Sequence, residues 1–200
     1  VTSFDRIRVE APYAVTLATG RAPFAKAEGP AGALDAIDLR VEGRTLIIRR
    51  RAGGLGSDDS GPVRIALATP DLRSAIVAGS GSLTIDRMRG LSVDVAMAGS
   101  GSLEVAEIAA DRVNAGVEGS GSLTLRGRAK SAHLTARGTP VLTAGELLSD
   151  EASIAAEGTG ELTAAVRSQA TVAAAGPVQV RLIGRPACVL RVRGSASVEG

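Results

Sequence analysis

The sequence has almost no aromatic bulk: no tryptophan, one tyrosine (Tyr13) and two phenylalanines (Phe4 and Phe24) in 200 residues. Its apolar share is nevertheless an ordinary 44%. Ala, Val and Leu must therefore fill the interior, which suits a narrow aliphatic core and not a broad globular one built on large rings. Cysteine is as scarce. Cys188 stands alone, which excludes an internal disulfide and leaves the redox compartment open. His133, the only histidine, lies far from it, and the two match no zinc spacing. No run of about 18 or more apolar residues occurs, so no helix spans a membrane. The net charge is only +2, with both signs interspersed. No basic run is interleaved with aromatics, which argues against nucleic-acid binding. The run Arg49-Arg50-Arg51 reads as a solvated strand end. No signal peptide is present. The chain opens on a strand-like pattern, as expected of an exported protein whose leader has been removed.

What the chain has in abundance is glycine, 25 residues, and repetition. Gly-Ser-Gly-Ser-Leu occurs at Gly79–Leu83, Gly99–Leu103 and Gly119–Leu123, each copy starting 20 residues after the last. Looser copies begin at Gly138, Gly158, Gly176 and Gly194, at steps of 19, 20, 18 and 18. The first glycine of each copy is a register mark. Four residues after it stand Leu83, Leu103, Leu123, Leu142, Leu162, Val180 and Val198. Two before it stand Val77, Met97, Val117, Ala136, Ala156, Ala174 and Val192. Positions six after and four before are apolar as well, while the intervening positions are mixed or polar. Alternation of period 2 on both sides of the glycine is the mark of strands with one face inside.

Each unit thus predicts a strand, a glycine corner, a second strand and a variable turn such as Asp86–Gly90 or Ala106–Asp111. A hairpin would leave the shared register of different units without a cause. Stacking places like residue on like residue and bonds each coil to its neighbours. The expected fold is all-β: a parallel β-helix of about 18–20 residues per coil, in one domain spanning 1–200. Residues 71–200 form the regular coils. Residues 1–70 form an irregular N-terminal β region that covers the first core layer, with degenerate coils continuous with the later ones. Gly53–Ser60 reads as a flexible loop. Ser80, Ser100, Ser120, Thr139 and Thr159 follow the corner glycines, where their hydroxyls can bond corner backbone or one another. Their repetition favours this role over that of a nucleophile.

The opening Phe4-Asp5-Arg6-Ile7-Arg8-Val9, the middle Val41-Glu42-Gly43-Arg44-Thr45-Leu46-Ile47-Ile48 and above all the tandem Gly-Ser-Gly-Ser-Leu units resemble the bacterial family of auto-transporter adhesins with a head GIN domain. The likeness covers essentially the whole chain. It implies an exported, right-handed β-helical protein of the periplasm, outer membrane or cell surface. It carries over no catalytic residue. This chain has no stalk heptads, collagen-like repeat or membrane-anchoring barrel of its own.

Chemistry is sparse. Calcium-binding β-rolls place aspartates in Gly-Gly-x-Gly-x-Asp repeats, where this chain has serine and leucine, so no metal or other cofactor is expected. Five residues before the register marks lies an outward polar ladder: Ser74, Asp94, Asn114, His133, Ser153 and Thr171. One residue before the marks, Glu118, Arg137 and Glu157 alternate in sign on consecutive coils, as suits cross-coil ion pairing. Asp94, Asn114, His133, Glu118, Arg137 and Glu157 are the candidate ligand-contacting residues on this outer face. Met88 and Met97 read as packing residues, and Cys188 as a buried inert thiol. The leading reading is a non-catalytic envelope or surface module that binds a carbohydrate or other surface ligand. The alternative is a carbohydrate-active lyase or hydrolase, which would commonly need two suitably placed carboxylates. The pattern runs to Val198 without a capping signal. An open last coil is therefore expected, covered by self-association or by a following segment.

Overall fold

Residues 2–51 and 61–200 are described by a computed structural model of the chain. The segment read as a loop, Gly53–Ser60, lies outside the described residues. Alternating apolar and polar side chains give strands at β1 (Arg6–Val9), β2 (Ala14–Thr19) and β3 (Phe24–Glu28). A short helix α1 (Ala31–Asp35) follows, then β4 (Ile37–Glu42), β5 (Thr45–Arg50), β6 (Arg64–Thr69), β7 (Ser74–Gly79) and β8 (Ser82–Ile85). The repeats form β9 (Met88–Gly99), β10 (Ser102–Gly119), β11 (Ser122–Gly138), β12 (Val141–Gly158) and β13 (Glu161–Ala175). The chain ends with β14 (Gln179–Ile183), β15 (Ala187–Arg193) and β16 (Ser197–Glu199). These strands wind a β-solenoid of about 6 turns.

Successive coils pair in parallel with like residue on like residue. Leu83, Leu103, Leu123, Leu142 and Leu162 form one vertical register, continued by Val180. All six are at most 1% exposed. A second register runs Val77, Met97, Val117, Ala136, Ala156 and Ala174, also buried. The core is thus a single column of aliphatic layers, which needs no aromatic bulk.

The corners are bonded by backbone. The amides of Ser100, Ser120, Thr139 and Thr159 donate to glycine carbonyls of the coil before, at 2.8–3.1 Å. The hydroxyls expected to serve there make no hydrogen bond among the described residues. The corner glycines have left-handed φ, +115° at Gly79 and +108° at Gly119. At Gly119 a Cβ would also stand 2.6 Å from the Gly99 carbonyl oxygen, whereas nothing lies within 4 Å at Gly79. Gly79 is the first in its column, with no earlier corner against it. Gly119 is hemmed in by the coil before.

Each regular coil has three sides, not two strands and a turn. The stretch expected as a variable turn is a short third strand: Met88, Arg89 and Gly90 pair with Ile108, Ala109 and Ala110, which pair with Gly127, Arg128 and Ala129. Met88 and Ile108 point inward and are 1% exposed. The inward column at this side passes through Gly127 before Leu147, and a register shift precedes it. That interruption hides its periodicity from the sequence.

At the N-terminal end, β1 continues the parallel ladder between β5 and β7, and β2 sits between β6 and β8. Two strands depart from the expected coils: β3 pairs β6 antiparallel, and β4 pairs β5 antiparallel. At the other end, β15 lies on β13 in register, but its residues are all exposed. Cys188, expected inside, is accordingly an exposed free thiol. Its position is inward in register, but among the described residues β15 is paired on one flank only, with β13. Leu190 and Val192, in the same situation, are 48% and 44% exposed.

Candidate functional site

The longest side of the helix is made by the strand portions that end at the corner glycines, such as Arg112–Gly119. Its outward residues fall into parallel columns because every coil repeats the same pleat, and beside the column of Ser92, Arg112, Ser131, Glu151 and Gln169 run three that hold the candidate residues or separate them. The first is Ser74, Asp94, Asn114, His133, Ser153 and Thr171. Asn114 donates its Nδ2 to Asp94 Oδ1 at 2.7 Å. Two residues along come Ile76, Ala96, Gly116, Thr135, Ala155 and Ala173, a mostly small-residue floor. Two further along come Glu118, Arg137 and Glu157. Arg137 Nε meets Glu157 Oε2 at 3.6 Å, both exposed; Glu118 joins no ion pair among the described residues.

The six candidate residues therefore share one face. Asp94, Asn114 and His133 line a shallow depression of about 280 Å³ with Ala96, Gly116 and Thr135 at its floor. Glu118, Arg137 and Glu157 stand four residues along the strands, roughly 13 Å away at ~3.3 Å per residue, and take no part in it. The side is a flat sheet with two polar rails. Asp94 and Glu118 stand on different rails and on adjacent coils, four strand positions apart along the pleat. No group of three or more His, Cys, Asp or Glu residues among the described ones is placed to hold a metal ion.

Electrostatics elsewhere are dominated by coil-to-coil pairing of exposed charges. Arg126 bridges Glu104 and Glu146, and Arg87 and Arg89 both reach Glu107. A hydrogen bond from Lys130 to Asp111, with their Coulomb attraction, raises the Lys130 ammonium above its usual range. At the N-terminal end the hydrogen bond from Arg49 holds the Glu10 carboxyl below the ordinary carboxylate range, helped by Arg8 and opposed by partial burial. Burial pushes the Tyr13 hydroxyl up, and that hydroxyl has no hydrogen-bond partner among the described residues.

The third side carries features that reading it as a turn conceals. Leu91 is 80% exposed and Leu148 is 39% exposed. With Arg128, Lys130 and Arg167 they line an open depression of about 370 Å³. The one sequence signal for it was apolar residues placed off the period-2 register. No helix of the described residues is long and apolar enough to cross a membrane.

Comparison with known proteins agrees with this architecture. The family model described as "Putative auto-transporter adhesin, head GIN domain" matches residues 3–186. No curated protein matches the sequence. Among solved structures, a "putative adhesin" from Bacteroides fragilis superposes with a TM-score of 0.88 at 18% identity, covering 100% of this chain and 93% of that one. A "putative adhesin" from Parabacteroides merdae gives 0.76 at 16% identity, with 100% and 92% covered. A "putative lipid binding protein" from Parabacteroides distasonis gives 0.72 at 17% identity, with 100% and 93% covered. At such identities the likeness is one of fold.

Proposed function

We propose a function from one premise, that the chain belongs to the family described as "Putative auto-transporter adhesin, head GIN domain": it is a non-catalytic binding module of the bacterial envelope. In this reading the protein is exported and works at the periplasmic, outer-membrane or cell surface. Its long side presents a flat, polar, coil-repeated surface to an extended ligand, a carbohydrate or other surface polymer. The observation that carries the reading is the continuous Asp94–Asn114–His133 ladder over a floor of small residues. Repeated hydrogen-bonding groups about 4.8 Å apart suit a repeating partner, and the small floor lets it approach the backbone. The exposed inward residues of β15 give copies of the chain a surface through which to associate.

The rival reading, a carbohydrate-active lyase or hydrolase, calls for a cleft with close carboxylates, and the long side is flat. A glycan array combined with hydrolysis and elimination assays separates the two. Binding without turnover, lost in an Asn114→Ala/His133→Ala double variant, is the expected outcome. Turnover of any polysaccharide would end the binding-module reading.

A further inference from the structure

We propose that the recess where the third side begins binds an acidic saccharide unit, a polyhydroxylated ring bearing a carboxylate. The proposal rests on the reading of the chain as a binding module but concerns a different surface from the flat long side. Its origin is topological. Between β6 and β7 the chain crosses in four residues, Pro70–Arg73, without a third-side strand. The Met88–Ser92 segment of β9 therefore has β10 on one flank and, among the described residues, no strand on the other. The space left is a cavity of about 590 Å³, within the range of ~300–1,000 Å³ common for small-ligand sites.

Its lining is charged in both senses. Arg6, Arg73 and Asp71 line it, and none forms an ion pair among the described residues. Arg89 lines the same cavity and is engaged with Glu107. Asp94 lies at the border with the long side and accepts the Asn114 amide. Asp5 is the buried member, 7% exposed. Its Oδ2 lies 3.1 Å from Arg44, and its Oδ1 has no hydrogen-bond partner among the described residues. A buried acceptor left unpaired is costly, so this wall lacks a donor. Leu91 adds an exposed apolar surface.

Each simple class of ligand leaves part of this lining unmatched. A small anion would meet Arg6 and Arg73 but bring no donor to the aspartates. A neutral sugar would leave the guanidinium groups without an acceptor. A single ammonium serves one carboxylate only. A sugar acid supplies a carboxylate for the arginines, hydroxyl donors for the aspartates and ring C–H groups for Leu91.

The test is a titration of the ¹⁵N-labelled full chain with D-glucuronate, with D-glucose and acetate as controls, followed by two-dimensional NMR. Glucuronate should shift the amides of Arg73, Leu91 and Ser92, and glucose and acetate should do so at least about tenfold more weakly. Arg73→Ala and Leu91→Ala, both at exposed positions, should each weaken binding by about tenfold, the loss of one charge-assisted or apolar contact, with the thermal midpoint unchanged. No shift at the recess with glucuronate, equal shifts with acetate, or full affinity in Arg73→Ala would each overturn the proposal. Shifts confined to Asn114 and His133 would overturn it too, while leaving the binding-module reading standing.

Discussion

The coil-on-coil approach at the corners can be measured with a matched pair of glycine substitutions. Gly79 and Gly119 have nearly the same left-handed φ, +115° and +108°. An alanine at either position carries backbone strain of about 1–3 kcal/mol. They differ in what the new methyl meets: open space at Gly79, and the Gly99 carbonyl oxygen at 2.6 Å at Gly119. The neighbour at Gly119 is backbone, fixed by the Ser120 amide that donates to the same carbonyl at 3.0 Å. It cannot rotate aside, and the coils must separate locally, an overpacking cost of about 1–3 kcal/mol. Gly119→Ala should therefore cost about 2–6 kcal/mol and Gly79→Ala about 1–3 kcal/mol. For a chain of this size ~1 kcal/mol moves the thermal midpoint by about 2–4 °C. Urea unfolding followed by circular dichroism, with both variants run beside the parent, reads the difference directly. Equal destabilisation would show that φ alone sets the glycine requirement and that the tight stacking argued for these corners is wrong.

Three further outcomes are expected. Leu103→Ala removes the centre of a fully buried leucine column and should lower unfolding free energy by about 2–5 kcal/mol, checked by the same urea titration; Thr124→Ala, an outward neighbour, should be near neutral. Leu190→Lys should abolish any concentration-dependent association seen by sedimentation velocity, because it charges the open apolar edge of β15; persistence of the same oligomers would place the contact elsewhere. Glu10 has a folded-state pKa held below its unfolded value by Arg49 and Arg8, so its contribution is present above the unfolded pKa and fades as pH falls through the folded one. Glu10→Gln should then lose stability near neutrality, by no more than about 1 kcal/mol for a half-exposed pair, and converge with the parent in acid; a gap that widens on acidification would contradict the assignment.

The long side was readable before any coordinates because its chemistry is periodic. Asp94, Asn114 and His133 occupy one column for the same reason that Leu103 and Leu123 do: a shared register passes from coil to coil through backbone hydrogen bonds. The Glu118–Arg137–Glu157 column was equally legible, but its separation from the depression is a matter of distance along the strand. The antiparallel additions β3 and β4 were not legible, since antiparallel and parallel strands show the same alternation. The third side was hidden by Gly127 and by coil lengths that vary between 18 and 20 residues, which blur any register downstream of the second strand.

By itself the sequence determined the parallel stack, its register and the faces of its residues, because a period of 2 within strands and of about 20 between them permits few other arrangements. Tertiary structure alone decided which inward positions are covered. Cys188, Leu190 and Val192 carry the same inward pattern as their predecessors, yet they are exposed because burial depends on a neighbouring coil and not on the residue's own place in its strand. The same holds at the other end of the third side. The flank of Met88–Ser92 that has no partner strand among the described residues and the recess beside Asp5 exist because one earlier coil took a shorter path, an event no local pattern around either segment records.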